Sequence, residues 1–207
     1  MSTATATLTQ TVSISSNTKL EEILKLFDAQ FKNKWNVRNT TAKIRIQKLK
    51  KLRDIILAER EKIEQAIYAD FRKPAVEVGY SGVAPVVIQI NHAIRNIGEW
   101  MEPKAVDTPV IFLGTSSKVV FEPKGNTLIL TPWNYPFQLP LVAIVSAIAA
   151  GNTIILKPSE FTPHTSAYLK SLMAQVFSEN EVAVVQGDYS VSSELLKLRF
   201  DHIHFTG

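Results

Sequence analysis

The 207-residue sequence contains no cysteine. That excludes disulfides, thiolate zinc sites, iron–sulfur clusters and any cysteine nucleophile supplied by this chain. No unbroken apolar run approaches the ~18–20 residues that a transmembrane helix needs. The eight glycines nowhere spell G-x-G-x-x-G, so the usual dinucleotide fingerprint is missing. Residues 1–18 carry no charged side chain. They lack the basic start and apolar core of a secretory signal, and the arginines of a transit peptide. They are expected to form a disordered tail, with the protein in the cytoplasm.

What is present is ordinary for a globular chain: 45% apolar and 20% charged residues. A soluble chain of this size buries roughly 70% of the surface that its unfolded form exposes. The net charge of +4 is a mild excess, which does not by itself call for a nucleic-acid partner.

Helical periodicity dominates the first half. Residues 18–35 place Leu20, Ile23, Leu24, Phe27 and Phe31 on one face, with Asn17 or Thr18 as the expected cap. Residues 41–71 read as one longer helix and residues 75–101 as a third, before Pro103 and Pro109 break the pattern. Val110 to Leu113, a Gly-Thr-Ser-Ser turn and Lys118 to Glu122 then predict a strand, a turn and a strand.

From residue 126 onward, short apolar runs alternate with helices. Strands are predicted at 127–130, 153–156, 182–185 and 202–205, with helices at 139–150, 165–177 and 191–198. That order implies right-handed crossovers and a parallel sheet. The expected fold class is α/β: N-terminal helices packed on an incomplete, Rossmann-like doubly wound sheet, with a short antiparallel arm at about 110–122. The chain ends directly after a strand, where such a sheet calls for another helix. It therefore reads as the N-terminal part of a larger protein.

Three stretches carry chemistry. Thr131-Pro132-Trp133-Asn134-Tyr135-Pro136-Phe137 follows the first sheet strand. Ala149-Ala150-Gly151-Asn152 precedes the second, and Leu156-Lys157-Pro158-Ser159-Glu160 ends it. Phe205-Thr206-Gly207 closes the chain. Read from the residues alone, Asn134 is a candidate cap for the following helix, which Pro136 helps to start. Lys157 and Glu160 are equally consistent with a solvated charge pair.

This ordered set resembles the aldehyde dehydrogenase superfamily, and its wording is similar to the class 3-like branch that takes fatty and aromatic aldehydes. The resemblance covers about residues 20–207. It implies oxidation of an aldehyde to a carboxylic acid with NAD, or with NADP in some relatives. In the family a cysteine thiolate attacks the aldehyde, hydride passes to the nicotinamide, and water hydrolyses the thioester. By the resemblance, Asn134 donates to the oxyanion of the intermediate. Thr131, Pro132, Trp133, Ser159, Gly187, Thr206 and Gly207 border the cofactor, and Lys157 and Glu160 meet the adenosine ribose hydroxyls. A carboxylate beside the 2′-hydroxyl favours NAD. Relatives often carry a second glycine where this chain has Asp188, which puts an acid near the adenine. The arm resembles those through which family members form homodimers.

The family's cysteine nucleophile, its general-base glutamate and its second ribose-binding glutamate lie downstream of the matching region. Residues 19–207 therefore read as the N-terminal part of the NAD(P)-binding domain, without the catalytic domain and inactive alone. A stand-alone nucleotide-binding module and a non-catalytic oligomerisation fragment are the alternatives. The substrate partner is a small aldehyde. No metal is expected, because His202 and His204 share a strand face without a third ligand. The basic residues Lys43, Arg45, Lys48, Lys50, Lys51 and Arg53 read as a solvated helix face. Tyr80 to Ile90 is the one stretch expected to wall a substrate tunnel.

Overall fold

The computed structural model describes residues 17–207. The tail expected at the N-terminus therefore falls outside the described residues, except for Asn17 and Thr18.

The helices come in two groups. Helix α1 spans Leu20–Arg38, α2 Ala42–Ala58 and α3 Arg60–Phe71. A short α4 (Ala75–Glu77) runs through a π-helical turn at Val78–Val83 into α5 (Ala84–Met101). The long helix expected over 41–71 is broken at Glu59 (φ −100°, ψ 24°). No glycine or proline causes that break. The Glu59 carboxylate accepts from Tyr168 Oη at 3.1 Å, which fixes α3 against α7 (Pro163–Val176). The π turn has a local cause. Pro85 has no N–H to continue the α pattern, and the Ala84 N–H reaches back five residues to the Gly79 carbonyl.

The arm differs from the expected strand pair. Strands β1 (Lys104–Val106) and β2 (Ser117–Val119) pair antiparallel, and Val110–Phe112 forms a 3-10 turn between them. Pro109 opens that turn, and Val110 to Leu113 are strongly exposed. Their β-branched and aromatic side chains fill no core, so composition alone misassigns them.

The remaining strands are β3 (Asn126–Leu130), β4 (Thr153–Lys157), β5 (Val182–Val184) and β6 (His202–Phe205). They form a parallel sheet in the order β5-β4-β3-β6. Helix α6 (Gln138–Ala150), α7 and α8 (Tyr189–Leu196) are the crossovers. The period of two along a strand divides the core. Ile129, Ile154, Leu156, Val182 and Val184 pack towards α2, α3, α5, α6 and α7. Leu128, Leu130, Ile155, Ala183 and Val185 pack towards α1 and α8. Strands β3, β4 and β5 are covered on both faces, and the architecture is doubly wound α/β as expected. The residues of β6 are exposed. Among the described residues no helix is long and apolar enough to cross a membrane, and no cluster of side chains could hold a metal ion.

Candidate active site

The chain runs β3, β4, β5 in one direction, then returns to place β6 on the far side of β3. The sheet therefore has its switch point between β3 and β6. Open α/β sheets bind ligands beyond the carboxyl ends of the strands at such points. Backbone pairing continues past the strands on this edge. The Thr131 N–H donates to the Lys157 carbonyl at 3.3 Å, Val185 N–H to Leu156 O at 2.8 Å, and Thr206 N–H to Leu130 O at 3.2 Å. These bonds bring four stretches onto one rim: 185–188, 157–160, 131–134 and 206–207.

Lys157 ends β4 and is 5% exposed. Its Nζ donates to Glu160 Oε2 at 2.7 Å. A buried ammonium needs such a partner, because its isolated desolvation costs several kcal/mol. Burial pulls the Glu160 carboxyl upward. Hydrogen bonds from Lys157 and from its own backbone N–H, together with the lysine charge, outweigh that and leave its pKa below the ordinary 4.5. Ser159, also buried, turns the loop. Its Oγ accepts from the Phe161 N–H at 3.3 Å, and its carbonyl accepts from Thr162 Oγ1 and Ser166 Oγ.

Asn134 is exposed. Its Oδ1 accepts from the adjacent Tyr135 N–H at 3.1 Å. It does not cap α6, which starts at Gln138 with Phe137 in the cap position and no side-chain cap bond. The capping alternative for Asn134 is therefore not realised. Among the described residues its Nδ2 has no hydrogen-bond partner in the protein, which leaves that donor turned to solvent. Trp133, half-exposed, stacks on Phe71 with ring centroids 6.2 Å apart. Pro132 is partly buried, Thr206 is partly buried and Gly207 is exposed.

A cavity of about 130 Å³ opens beside the Lys157–Glu160 pair, lined by Pro158, Ser159, Glu160, Gln186, Gly187, Asp188 and Asn17, with Pro163 and Ser166 behind. Gly187 has φ +148°, and a Cβ there would lie 2.4 Å from Val191 Cγ2 and 3.0 Å from Asn17 Oδ1. Glycine is required here both by the dihedral angle and by the close packing of α8.

Asn17 and Gln186 were not legible as parts of this rim. Asn17 or Thr18 is the expected cap of α1, yet Lys19 holds the cap position and makes no side-chain bond. Thr18 instead clamps Gln186. Its N–H and Oγ1 both donate to the Gln186 carbonyl at 2.9 Å, and its Oγ1 accepts from the Gln186 N–H at 3.0 Å. The partners are 168 residues apart in sequence, so no local pattern signals them.

Two buried polar atoms on this rim, Thr131 Oγ1 and Gln186 Nε2, have no partner among the described residues. Orphaned groups of this kind cost ~1–3 kcal/mol unless a ligand or water pairs with them. With the Lys157 ammonium and the Glu160 carboxylate they form a mixed set of donors and acceptors. Such a set fits the hydroxyls of a ribose.

The sequence matches the aldehyde dehydrogenase family over residues 1–207. This chain belongs to the aldehyde dehydrogenase family. It is 38% identical over 187 residues to AldX of Bacillus subtilis, covering 90% of this chain and 42% of AldX. It is 38% identical over 163 residues to the 4,4'-diaponeurosporen-aldehyde dehydrogenase of Staphylococcus aureus, covering 79% of this chain and 36% of that enzyme. The solved structure of Staphylococcus aureus AldH in a substrate-bound state superimposes with a TM-score of 0.86 at 34% identity, covering 89% of this chain and 40% of that one. The relatives include aldehyde dehydrogenases named as family 3 members, in keeping with the class 3-like wording of the sequence. The chain thus spans well under half the length of the curated relatives that it matches. Aldehyde dehydrogenases use NAD or NADP, and the donor and acceptor set on this rim is chemically suited to ribose hydroxyls.

A larger cavity lies elsewhere. About 720 Å³ in volume, it is bordered by Arg38, Arg45, Trp100, Met101, Phe121 and Ala150, at the C-terminal ends of α1, α5 and α6. Those helix ends lie at the amino edge of the sheet, away from Asn134 and Lys157, so size does not mark the candidate site.

Proposed function

We propose that this chain forms the cofactor-binding part of an enzyme that oxidises an aldehyde to a carboxylic acid with NAD(P). The observation that carries the reading is the convergence of the Asn134 loop, the Lys157–Glu160 pair and the Gly187 turn on one carboxyl edge, at the switch point of a doubly wound sheet. Lys157 and Glu160 hold the adenosine ribose, the ammonium donating and the carboxylate accepting. Thr131, Pro132, Trp133, Ser159, Gly187, Thr206 and Gly207 border the dinucleotide. When bound, the nicotinamide supplies the hydride acceptor.

Asn134 has an unengaged Nδ2 donor on an exposed loop. In this reading it stabilises the oxygen that gains negative charge when the aldehyde carbon becomes tetrahedral. One such donor contributes about 2.7–4 kcal/mol to a transition state. The nucleophile is not in this chain, which has no cysteine. The 207-residue chain is therefore a cofactor binder without turnover of its own, and the enzyme is cytoplasmic. Exposed apolar side chains at the arm tip, with Val110 and Leu113 at 83% and 91% exposure, suit a contact with a second copy in a homodimer.

Calorimetry with the purified chain tests the reading. NAD binds, the K157M variant loses at least tenfold in affinity, and no NADH forms from added aldehydes. NAD binding that is indifferent to Lys157→Met, or aldehyde-dependent NADH production by the chain alone, would overturn it.

A further inference from the structure

Asp188 stands on the cofactor rim and is used by none of the roles above. It is the N-terminal cap of α8: its Oδ1 accepts from the Ser190 N–H at 2.9 Å and from Ser190 Oγ at 2.6 Å. The N-terminus of a helix is ordinarily a ready seat for a phosphate, because its free N–H groups and its dipole favour negative charge. Here a carboxylate of the chain itself already occupies that seat.

The carboxylate is also held in place. The Asp188 N–H donates to Asn17 Oδ1 at 3.1 Å, and Asn17 Nδ2 donates to Ser190 Oγ at 3.4 Å. Two residues before Asp188, Thr18 clamps both backbone groups of Gln186. The entry into α1 thus fixes the turn that carries Asp188, and the group has little freedom to swing away from an incoming anion.

The cavity's composition points the same way. Two of its lining residues, Glu160 and Asp188, are acidic and none is basic. The nearby Lys157 ammonium is already paired with Glu160. The buried donor without a partner among the described residues is neutral, Gln186 Nε2. This chemistry accepts hydroxyls and ring nitrogens and disfavours a second phosphate. Hydrogen bonds from the Ser190 side chain and then from Asn17 keep the Asp188 carboxyl below its ordinary pKa, so it is ionised at neutral pH.

We propose that Asp188 is a specificity-determining residue, which with Glu160 excludes a 2′-phosphate from the adenosine end of the site and so selects NAD over NADP. The proposal rests on the reading of Lys157 and Glu160 as the ribose-binding pair. Its distinct content is that discrimination does not depend on Glu160 alone, because the carboxylate at 188 occupies a helix terminus that borders the cavity.

The test is calorimetric titration of the full 207-residue chain with NAD and NADP, and with 5′-AMP and 2′,5′-ADP as the isolated adenosine ends. Asp188→Asn keeps the acceptor for Ser190 and removes the charge. Asp188→Ser keeps a capping hydroxyl and guards against a folding defect in the first variant. The wild-type chain is expected to prefer NAD and 5′-AMP, with the preference narrowing as salt is added. In either variant the NAD:NADP affinity ratio should fall by about tenfold through tighter NADP binding, because a like-charge contact has been removed. An unchanged ratio in both variants, with NAD still bound in a Lys157-dependent manner, would overturn this inference and leave the ribose-binding reading intact. Absence of NAD binding, or binding indifferent to Lys157→Met, would overturn both.

Discussion

The buried Arg45 guanidinium donates to the Ala149 carbonyl at 3.0 Å and to the Arg38 carbonyl at 2.9 Å, tying the ends of α6 and α1 together. A third bond runs from its Nε to Thr40 Oγ1 at 3.0 Å. No carboxylate faces it among these bonds; the negative ends of two helix dipoles stand in for one. Burial pushes its pKa down, yet a guanidinium stays charged at any pH where the protein folds. Its place in sequence among Lys43, Lys48, Lys50, Lys51 and Arg53 predicts a solvated face. The fold instead sets it inside, while Lys48 pairs with Glu181 and Arg53 with Asp54. Gly151, at φ +87°, closes α6 beside it, and a Cβ there would meet Arg45 Nη2 at 2.4 Å and Cζ at 2.5 Å. Gly151→Ala should destabilise the chain by about 2–4 kcal/mol, part from the left-handed dihedral and part from displacing the pinned guanidinium. Urea unfolding measures it. In an Arg45→Met background the same substitution should cost less, because the obstacle has gone, and a double-mutant cycle with no coupling would contradict this account.

Asp70 acts at a distance in a similar way. Its carboxylate, on α3, accepts from the His164 and Thr165 N–H groups at 3.1 and 2.8 Å and from Thr165 Oγ1 at 2.6 Å. Thr162, in the cap position of α7, makes no side-chain cap bond. Asp70 therefore caps α7 from another helix and braces the loop that carries Glu160. Asp70→Ala should cost about 1–2 kcal/mol, and Asp70→Asn, which keeps an acceptor, should cost less. Hydrogen exchange resolves where the loss falls: the amides of 163–166 should lose protection before those of β4.

How much of this was readable beforehand follows from what each signal depends on. Strands β3 and β4 are missed by only one residue, because apolar runs between Gly, Asn and Pro suffice for strands buried on both faces, and the exposed β6 is bounded correctly. The break at Glu59 is not readable, since no glycine or proline marks it and its partner Tyr168 lies on another helix. Strand β1 is three exposed residues between Pro103 and Pro109 and has no period to detect. The rim itself was half legible. Asn134, Lys157 and Glu160 sit in motifs, whereas Asn17 and the orphaned Gln186 amide gain meaning only when α1 is docked on the loop after β5.

The Lys157–Glu160 pair fixes a pH window. The Glu160 carboxyl is depressed below its ordinary 4.5. A depressed carboxyl contributes stability that is fully present above the ordinary value and is lost as pH falls through the lower folded value. The difference in urea midpoint between wild type and Glu160→Gln should therefore be constant from neutral pH down to about 5 and should shrink below it. A difference that grows on acidification would mean that the carboxyl is destabilised in the fold and that the lysine is not its partner.

Asn134 separates structure from chemistry most cleanly. Among the described residues its one hydrogen bond is to the next residue's N–H, it is exposed, and it caps no helix. Removal of its side chain should therefore leave the urea midpoint within the scatter expected of an exposed site, about 0.5 kcal/mol. NAD affinity should hold as well, because the proposed ribose partners are Lys157 and Glu160. In an enzyme that pairs this stretch with a cysteine-bearing one, Asn134→Ala should lower kcat by about 10²–10³ with KM little changed, the signature of a donor that engages only the developing oxyanion. Stability lost without a matching loss in kcat would assign the side chain to the loop's architecture and remove it from the chemistry.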